Sequence, residues 1–538
     1  MILPSFLTPS ENPAWPRSTV LAGVVLLSLC LITYLSSVLL TAPCFGWNDL
    51  RLTPTVYFFQ SEASLYGSLP RQALSVLYGP MTFFAYAPAA LASSAESVIR
   101  IGTCCALFWW LISTMLPFYL VFRAESLALS KTVLLLLALA GLSASLVSPI
   151  LNYGLAAPHA DAPGLALLIV AALTTVWRPR YGVWITALAG GLAVSCKITY
   201  ALPVIAIFIW VLFYDGCAAA VRLALAGMTT AVLLAFLWAS IFGLGPLCDA
   251  VLTVPASHPW NLYSEIGGSV KGTYDTPMGK ALCLSQGLLL VCLRLMPWLL
   301  IGLLVAAFTR LYPADDQNKA SKLSAVTDRW HSMCLLLALF GIVPAALGLA
   351  KSGGDLNTLA VCFVFAFHLV FLHLVRIALR LRSSAILSSL FVFSILLMST
   401  RMINLAAIHF MRHDSHVYEK LGQTLKQAPD QVWLPTRPLA HWFEEGKVCH
   451  SGDVLYCYAL GHMSLDQQWL ATHLPEKLDR IVGYKFDPWI SLGFANLFPP
   501  SFPAPTPLPQ VTSGLVEFPF SRQSLIQNLT GTANDSQP

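Results

Sequence analysis

The chain has 538 residues, enough for several soluble domains, but only 11% of them are charged and 57% are hydrophobic. A typical soluble domain carries about 25% charged residues, so most of this surface must face lipid rather than water. The formal net charge of +5 is too small to indicate nucleic-acid binding.

Apolar segments dominate the first three quarters of the chain. One transmembrane helix needs roughly 20 apolar residues. The sequence therefore predicts an all-α polytopic membrane protein with about 11 transmembrane helices, at 18–42, 98–122, 132–148, 163–177, 182–196, 199–214, 221–243, 284–309, 332–350, 358–375 and 384–404.

The distribution of basic residues predicts the orientation of these helices. With the N-terminus in the cytoplasm, the inside segments hold thirteen Lys and Arg residues and the outside loops before the tail hold seven. This is the bias that the positive-inside rule requires. An odd number of spans then places the C-terminal tail outside. We therefore expect a multi-pass membrane protein with a cytoplasmic N-terminus and an extracytoplasmic C-terminal tail.

The composition changes near residue 405, which predicts three regions. Residues 1–404 form the transmembrane domain, with a first outer loop at 43–97. From 405 to the end there are nine basic and twelve acidic residues in 134, so 405–490 is expected to be a small extracytoplasmic α/β domain. Six prolines within 499–509 favour polyproline II over a core, and we expect 491–538 to be disordered.

The first outer loop holds the most informative acid. Asp49 is expected just beyond the outer end of the first span, close to lipid headgroups. A carboxylate there can accept a proton from a hydroxyl that is held within hydrogen-bond reach. The simpler alternative is an ordinary interfacial acid. The loop continues with an amphipathic helix that ends near Glu62, and then with an aromatic stretch at 78–88 that is too short to span and suits an in-plane helix.

This order of features resembles the GT-C superfamily of membrane glycosyltransferases, whose members include protein O-mannosyltransferases and lipid A aminoarabinose transferases. The resemblance starts with one span, an outer Asp, an amphipathic helix ending in Leu-Tyr, and a Tyr-Gly-Pro turn. It continues with an acidic start to the fourth span at 158–163, a Gly-Leu-Ala to Ser-x-Lys ending at 190–197, and a Gly-Gly-Asp-x-Asn turn at 351–357.

The resemblance implies a reaction. Members take a sugar from a polyprenyl-phosphate or polyprenyl-diphosphate carrier at the outer face of the membrane and pass it to a lipid, glycan or protein acceptor. The acid of the first loop acts as the base or positions the acceptor, and the resemblance assigns this role to Asp49 here. Asn48 stands where many relatives have a second acid, so Glu62 is the candidate for a second carboxylate. Many members use a divalent metal, but no residue cluster in this sequence predicts one.

His159 and Asp161 form a second candidate site, on a short outer loop. An imidazole and a carboxylate two positions apart can bind a metal, hold a sugar hydroxyl or shift each other's pKa. The alternative is helix capping, since Asp161 and Pro163 suit the start of the next helix. Both roles are compatible.

A lipid-linked phosphate needs cations. Lys197, at the outer end of a span, and Lys351, in a glycine-rich turn, are the candidates for binding phosphate. Asp355 and Asn357 can hold sugar hydroxyls. The alternatives are that Lys197 extends to the headgroups and that 351–357 is only a tight turn.

Other classes of protein remain open at this point. A secondary transporter usually carries ionisable residues near the middle of the membrane and shows repeated halves, and neither feature is visible here. A polysaccharide polymerase or ligase of the cell envelope, or a non-catalytic assembly protein that presents its tail outside, also fits the predicted topology.

Overall fold

The structure is a computed structural model. It describes residues 17–61, 65–66, 77–125, 131–177, 181–263, 274–311, 321–351, 356–380, 385–411, 416–453, 455, 457, 467–484, 506–507 and 515–519. Glu62 and Asp355 lie outside the described residues.

Every predicted span coincides with a helix. The helices are α1 (Arg17–Thr41), α4 (Ala95–Glu125), α5 (Lys131–Val147), α7 (Asp161–Trp177), α8 (Gly182–Cys196), α9 (Ala201–Asp215), α10 (Cys217–Phe242), α13 (Pro277–Leu311), α14 (Ser321–Leu349), α15 (Ala360–Arg380) and α16 (Ala385–Met411). Within the described chain, 8 helical stretches are long and apolar enough to cross a membrane. The remaining three, α5, α7 and α8, are shorter apolar helices. The chain is therefore a multi-pass membrane protein.

Burial orders these helices from centre to edge. The span at the start of α15 is 83% buried, whereas the spans of α10 and α16 are each 22% buried. α7 packs against α8, α14 against α15, and α1 against α16. Large apolar side chains such as Phe236 (75% exposed) and Leu304 (70% exposed) point away from the bundle. In a membrane this surface contacts lipid, which explains why a low charge content suffices.

Short helices fill the connections at the end of the bundle where α1 finishes. They are α2 (Gly46–Gln60), α3 (Pro80–Ala85), α6 (Pro149–Leu155), α11 (Leu244–Cys248) and α12 (Val254–Ser257), with 3-10 turns at Ala42–Cys44, Ala87–Leu91, Ile198–Tyr200 and Leu356–Leu359. We call this end of the bundle the loop end. The predicted amphipathic helix of the first loop corresponds to α2, and the aromatic stretch is broken into α3 and the turn after it.

The C-terminal region folds as a small α/β unit. Its helices are α17 (Val417–Gln427), α18 (Pro438–Glu445) and α19 (Gln467–Thr472), and its strands are β1 (Val432–Trp433), β2 (Arg480–Tyr484), β3 (Thr506–Pro507) and β4 (Leu515–Pro519). The strand order is β1-β2-β4-β3. β1 runs parallel to β2, whereas β4 runs antiparallel to both β2 and β3.

Two predicted boundaries need correction. Helix α16 continues to Met411, so the small domain starts after 411 and not at 405. Two strands, β3 and β4, lie within 491–538, and all five residues of β4 pair with β2. The alternating apolar residues Leu515, Val516 and Phe518 are good strand formers, and the nearby prolines concealed this signal.

Candidate active site at the loop end

The carboxylate of Asp161 is the centre of a buried polar cluster. It belongs to the first residue of α7, and its side chain is only 4% exposed. Oδ1 accepts hydrogen bonds from Lys197 Nζ and from the Tyr200 hydroxyl, both at 3.2 Å. Oδ2 lies 2.7 Å from His159 Nδ1 and accepts from Asn357 Nδ2 at 2.9 Å. A buried carboxylate needs this many donors to offset its lost hydration.

His159 connects that carboxylate to a phenol. Its Nε2 lies 2.9 Å from the Tyr78 hydroxyl. Burial lowers the pKa of His159 to about 4, although the negative charge of Asp161 opposes this effect. The ring is therefore neutral near pH 7, and the short contact to Asp161 assigns its proton to Nδ1. Nε2 is then a proton acceptor that faces Tyr78. We call Tyr78, His159, Asp161, Lys197, Tyr200 and Asn357 the Asp161 cluster.

A glycine allows Tyr78 to reach this position. The Gly79 N–H donates to Cys196 O at 2.9 Å, and a Cβ on Gly79 would lie 2.1 Å from Ser195 O. The turn before α3 is thus pressed against the last turn of α8. Lys197 directly follows that turn, and its Nζ lies 5.9 Å from the centre of the Tyr78 ring.

Two further close approaches bring the remaining members together. A Cβ on Gly164 would lie 2.6 Å from the Tyr200 ring, so the start of α7 fits tightly against the turn after α8. A Cβ on Gly348 would lie 2.4 Å from the Thr358 side chain. The 3-10 turn before α15 therefore lies against the end of α14, and Asn357 in this turn donates to Asp161.

Cations lie at the edge of the cluster. The Lys197 side chain is 15% exposed, whereas His159 and Asp161 are nearly inaccessible. Arg51 on α2 is also partly exposed, and its positive charge adds to the effect of burial in lowering the pKa of His159. The same guanidinium opposes burial at Asp453, where burial raises the pKa to about 6. The partly exposed Lys197 beside the cluster, together with the positive charge of Arg51 on α2, favours an anionic ligand.

The structure joins four of the predicted site residues and separates two others from them. His159, Asp161, Lys197 and Asn357 are mutual neighbours. Four side chains contact the Asp161 carboxylate, which is more than helix capping alone requires.

Lys351 takes part in a different contact. Its Nζ donates to Ala256 O at 2.7 Å and His258 O at 2.8 Å, and it lies over the Trp260 ring. This cation holds the loop that precedes α13, and its role in phosphate binding stays a prediction.

Asp49 is also outside the cluster. It is fully buried in α2, and its hydrogen-bond partners include Thr53, Tyr418 and the backbone of Leu439. Its role as the base stays a prediction, and so do the roles of Glu62 and Asp355.

Sequence reasoning missed part of the site. Arg51, Tyr78 and Tyr200 were not predicted as site residues, and neither was Tyr86, whose hydroxyl binds both the N–H and the C=O of His159 at 2.9 Å. A signal existed for Tyr200, which lies three residues after Lys197 and therefore shares one turn with it. For Arg51 and Tyr86 the sequence carries no comparable pattern.

The described residues contain no set of side chains that is dedicated to metal binding. Among those residues there is no group of three or more His, Cys, Asp and Glu side chains that could hold an ion. His159 and Asp161 are close enough to share one, but they bond to each other.

The helix bundle, the short helices at its loop end and the appended α/β unit together make up the fold of this chain. The solved structure of ArnT from Cupriavidus metallidurans bound to undecaprenyl phosphate has this fold, with a TM-score of 0.51, 10% sequence identity, and coverage of 92% of this chain and 97% of that one. This similarity confirms the predicted polytopic helical fold.

Two further similarities involve an oligosaccharyltransferase from Archaeoglobus fulgidus. The form tethered to an acceptor peptide with an NVT sequon has a TM-score of 0.42 at 14% identity, covering 85% of this chain and 69% of that one. The apo form has a TM-score of 0.40 at 12% identity, covering 87% and 69%. No protein-family model and no curated protein sequence matches the chain.

Proposed function

We propose that this protein is a glycosyltransferase of the cell inner membrane. It moves a sugar from a polyprenyl-phosphate or polyprenyl-diphosphate donor to a lipid, glycan or protein acceptor on the extracytoplasmic face. The observation that carries the proposal is the Asp161 cluster, which three separate connections assemble at the loop end, on a fold shared with ArnT. The loop end is then the extracytoplasmic side, as the distribution of basic residues predicts.

The donor phosphate is expected to bind at the exposed edge of the cluster. Lys197 is the residue best placed for this contact, because its side chain is partly exposed and its Nζ is held by Asp161. Arg51 supplies a second positive charge from α2. The polyprenyl chain remains in the bilayer, so a site at the membrane boundary is where a lipid-borne phosphate arrives.

The reaction is a displacement at the anomeric carbon. The acceptor hydroxyl oxygen forms a bond to this carbon while the bond to the donor phosphate oxygen breaks, and the phosphate leaves with the electron pair. Cations stabilise the charge that develops on the leaving phosphate. The hydroxyl proton must pass to a base within hydrogen-bond reach.

There are two candidates for the base that accepts the proton of the acceptor hydroxyl, and experiment can distinguish them. The pair of His159 and Asp161 is the one that the geometry favours, because Asp161 orients the ring and Nε2 is an acceptor within 2.9 Å of Tyr78. A weakly basic imidazole suffices when a stabilised phosphate is the leaving group. The resemblance instead implies Asp49, whose carboxylate accepts hydrogen bonds from Thr53 and Leu439 within the protein.

The test is sugar transfer in membranes that contain the parent protein or one variant. Radiolabelled polyprenyl-phosphate sugars are supplied as a panel, and consumption of one donor identifies the sugar. Asp161→Asn and Lys197→Met are expected to abolish its consumption. Glu96→Gln is the control, because Glu96 is a more exposed acid at the loop end that pairs with Arg100.

Transfer at the parent rate by both Asp161→Asn and Lys197→Met would contradict the proposed site. Solute uptake into proteoliposomes without any donor consumption would instead favour a transporter. Repeated addition of sugars to a lipid-linked oligomer would identify a polymerase or ligase.

A further inference from the structure

Asp49 lies at the junction of the membrane domain and the small C-terminal domain. Its side chain has no exposed surface. Oδ2 accepts a hydrogen bond from the Tyr418 hydroxyl, and Oδ1 accepts one from the Leu439 N–H at 3.2 Å. Both donors belong to the C-terminal domain, on α17 and α18. Thr53, one turn further along α2, donates to Oδ1 at 3.0 Å.

A buried arginine completes this junction. Arg437, which is 1% exposed, donates to the backbone oxygens of Pro43 and Cys44, just before α2. It also donates to the Tyr418 hydroxyl at 3.2 Å. The positive charge of Arg437 and the negative charge of Asp49 thus meet across the Tyr418 hydroxyl, with each charge supplied by a different domain.

The rest of α2 continues the same contact. The Tyr57 hydroxyl donates to Pro438 O at 3.2 Å, and Trp442 Nε1 donates to Gln60 Oε1 at 2.8 Å. Helix α2 therefore belongs to the packing of both domains along most of its length.

Arg51 lies two residues after Asp49 on this helix. Successive residues of an α-helix are about 100° apart, so these two side chains leave the helix on nearly opposite sides. Asp49 faces α17 and α18, and the charge of Arg51 acts on His159 and Asp453. The contact with the C-terminal domain fixes the orientation of α2, and it therefore also fixes the direction in which Arg51 extends from this helix.

We propose that Asp49 is a positioning residue. It fastens the C-terminal domain to α2 through Tyr418 and Leu439, and it thereby fixes the direction in which Arg51 extends from α2. The domain contact does not depend on the proposed function, whereas the effect on donor binding rests on it.

The experiment compares Asp49→Asn, Tyr418→Phe and the double variant in lipid nanodiscs. Hydrogen exchange of 46–60 and 432–445 reports on the domain contact, and transfer kinetics report on the site. Glu419→Gln is the matched control, since it makes a similar acid-to-amide change next to Tyr418 on a side chain that is 62% exposed.

We expect each single variant to raise exchange in both segments, and the double variant to add little beyond Asp49→Asn, because the two residues act through one contact. Tyr418→Phe keeps the aromatic ring and should fold. It should raise the KM for the donor by about tenfold while kcat changes much less, because Arg51 is displaced and no reacting group is lost. The control should resemble the parent in both measurements.

The opposite pattern would overturn the proposal. If Asp49→Asn stops transfer while exchange in both segments is unchanged and Tyr418→Phe is fully active, Asp49 acts on the substrate. If exchange rises as expected but even the parent transfers no sugar, the domain contact stands and the proposed function fails.

Discussion

Lys197 Nζ lies 3.2 Å from Asp161 Oδ1, although Asp161 begins α7 and Lys197 directly follows the end of α8, 36 positions further along the chain. The antiparallel packing of α7 and α8 places the start of the first helix beside the end of the second. The pair is largely shielded from water, so each charge depends on the other. This relationship links the stability of the loop end to its proposed chemistry.

We predict that Asp161→Asn destabilises the protein more than the double change Asp161→Asn/Lys197→Met. Removing one partner of a buried pair costs about 3–5 kcal/mol, because the other charge is left without compensation, whereas removing both costs less. Thermal unfolding in nanodiscs measures the difference. Both variants should lack transfer, so a double variant that regains activity would contradict the role of these charges in the site.

Gly79→Ala is expected to impair the site by steric overlap. The added Cβ would lie 2.1 Å from Ser195 O, which forces the turn that carries Tyr78 away from α8. Overpacking of this kind costs about 1–3 kcal/mol, and transfer should fall with it. Gly227→Ala is the control, because a Cβ there meets nothing within 4 Å. Equal activity and stability of the two variants would show that the turn does not need its close approach.

The acid stability of the protein should depend on Asp49. Burial raises the pKa of Asp49 to about 6, although the charge of Arg437 opposes this, and the unperturbed value is 3.8. Between these values the folded protein binds a proton that the unfolded chain lacks, so this group's contribution to stability rises as the pH falls from 6 towards 4. The total effect is about 3 kcal/mol at most, at about 1.4 kcal/mol for each pKa unit.

The contribution of His159 to stability has the opposite pH dependence. Burial lowers the pKa of His159 to about 4, so this contribution is lost as the pH falls from 6.5 to 4. The difference in stability between the parent and Asp49→Asn at each pH cancels the His159 contribution, because both proteins contain His159. The parent should gain stability relative to the variant as the pH drops from 7 to 4. A difference that does not change with pH would contradict the buried carboxylate.

Removal of β4 should weaken the C-terminal domain. A chain that ends after residue 514 lacks the strand that pairs with β2 along all five of its residues. We expect faster proteolysis of 416–484 in the membrane-bound protein. A chain that ends after residue 521 keeps β4 and serves as the control. Equal proteolysis of the two chains would show that β4 does not stabilise the domain.

The sequence alone located the helices well. All eleven apolar segments became helices, because apolar length is a local property and each helix satisfies its own backbone hydrogen bonds in lipid. The pairing of His159 with Asp161 was equally local, since the two residues are separated by one position. In contrast, the proline-rich segment 499–509 gave no indication of the nearby strand β4, whose partner β2 is distant in sequence.

Long-range packing decided the rest. Asn357 and Lys197 were separate candidates in the sequence, and only the folded bundle shows that both bind Asp161. The position of Asp49 after the first span also indicated a site residue from the sequence. Its partners Tyr418 and Leu439 could not be predicted, because they lie more than 360 residues further along the chain. The hydrophobicity of each segment determines whether that segment enters the membrane, and this property hardly depends on the order of the segments along the chain. The identity of the groups that surround a buried charge depends on which connections meet at the loop end, and that is a property of the tertiary structure.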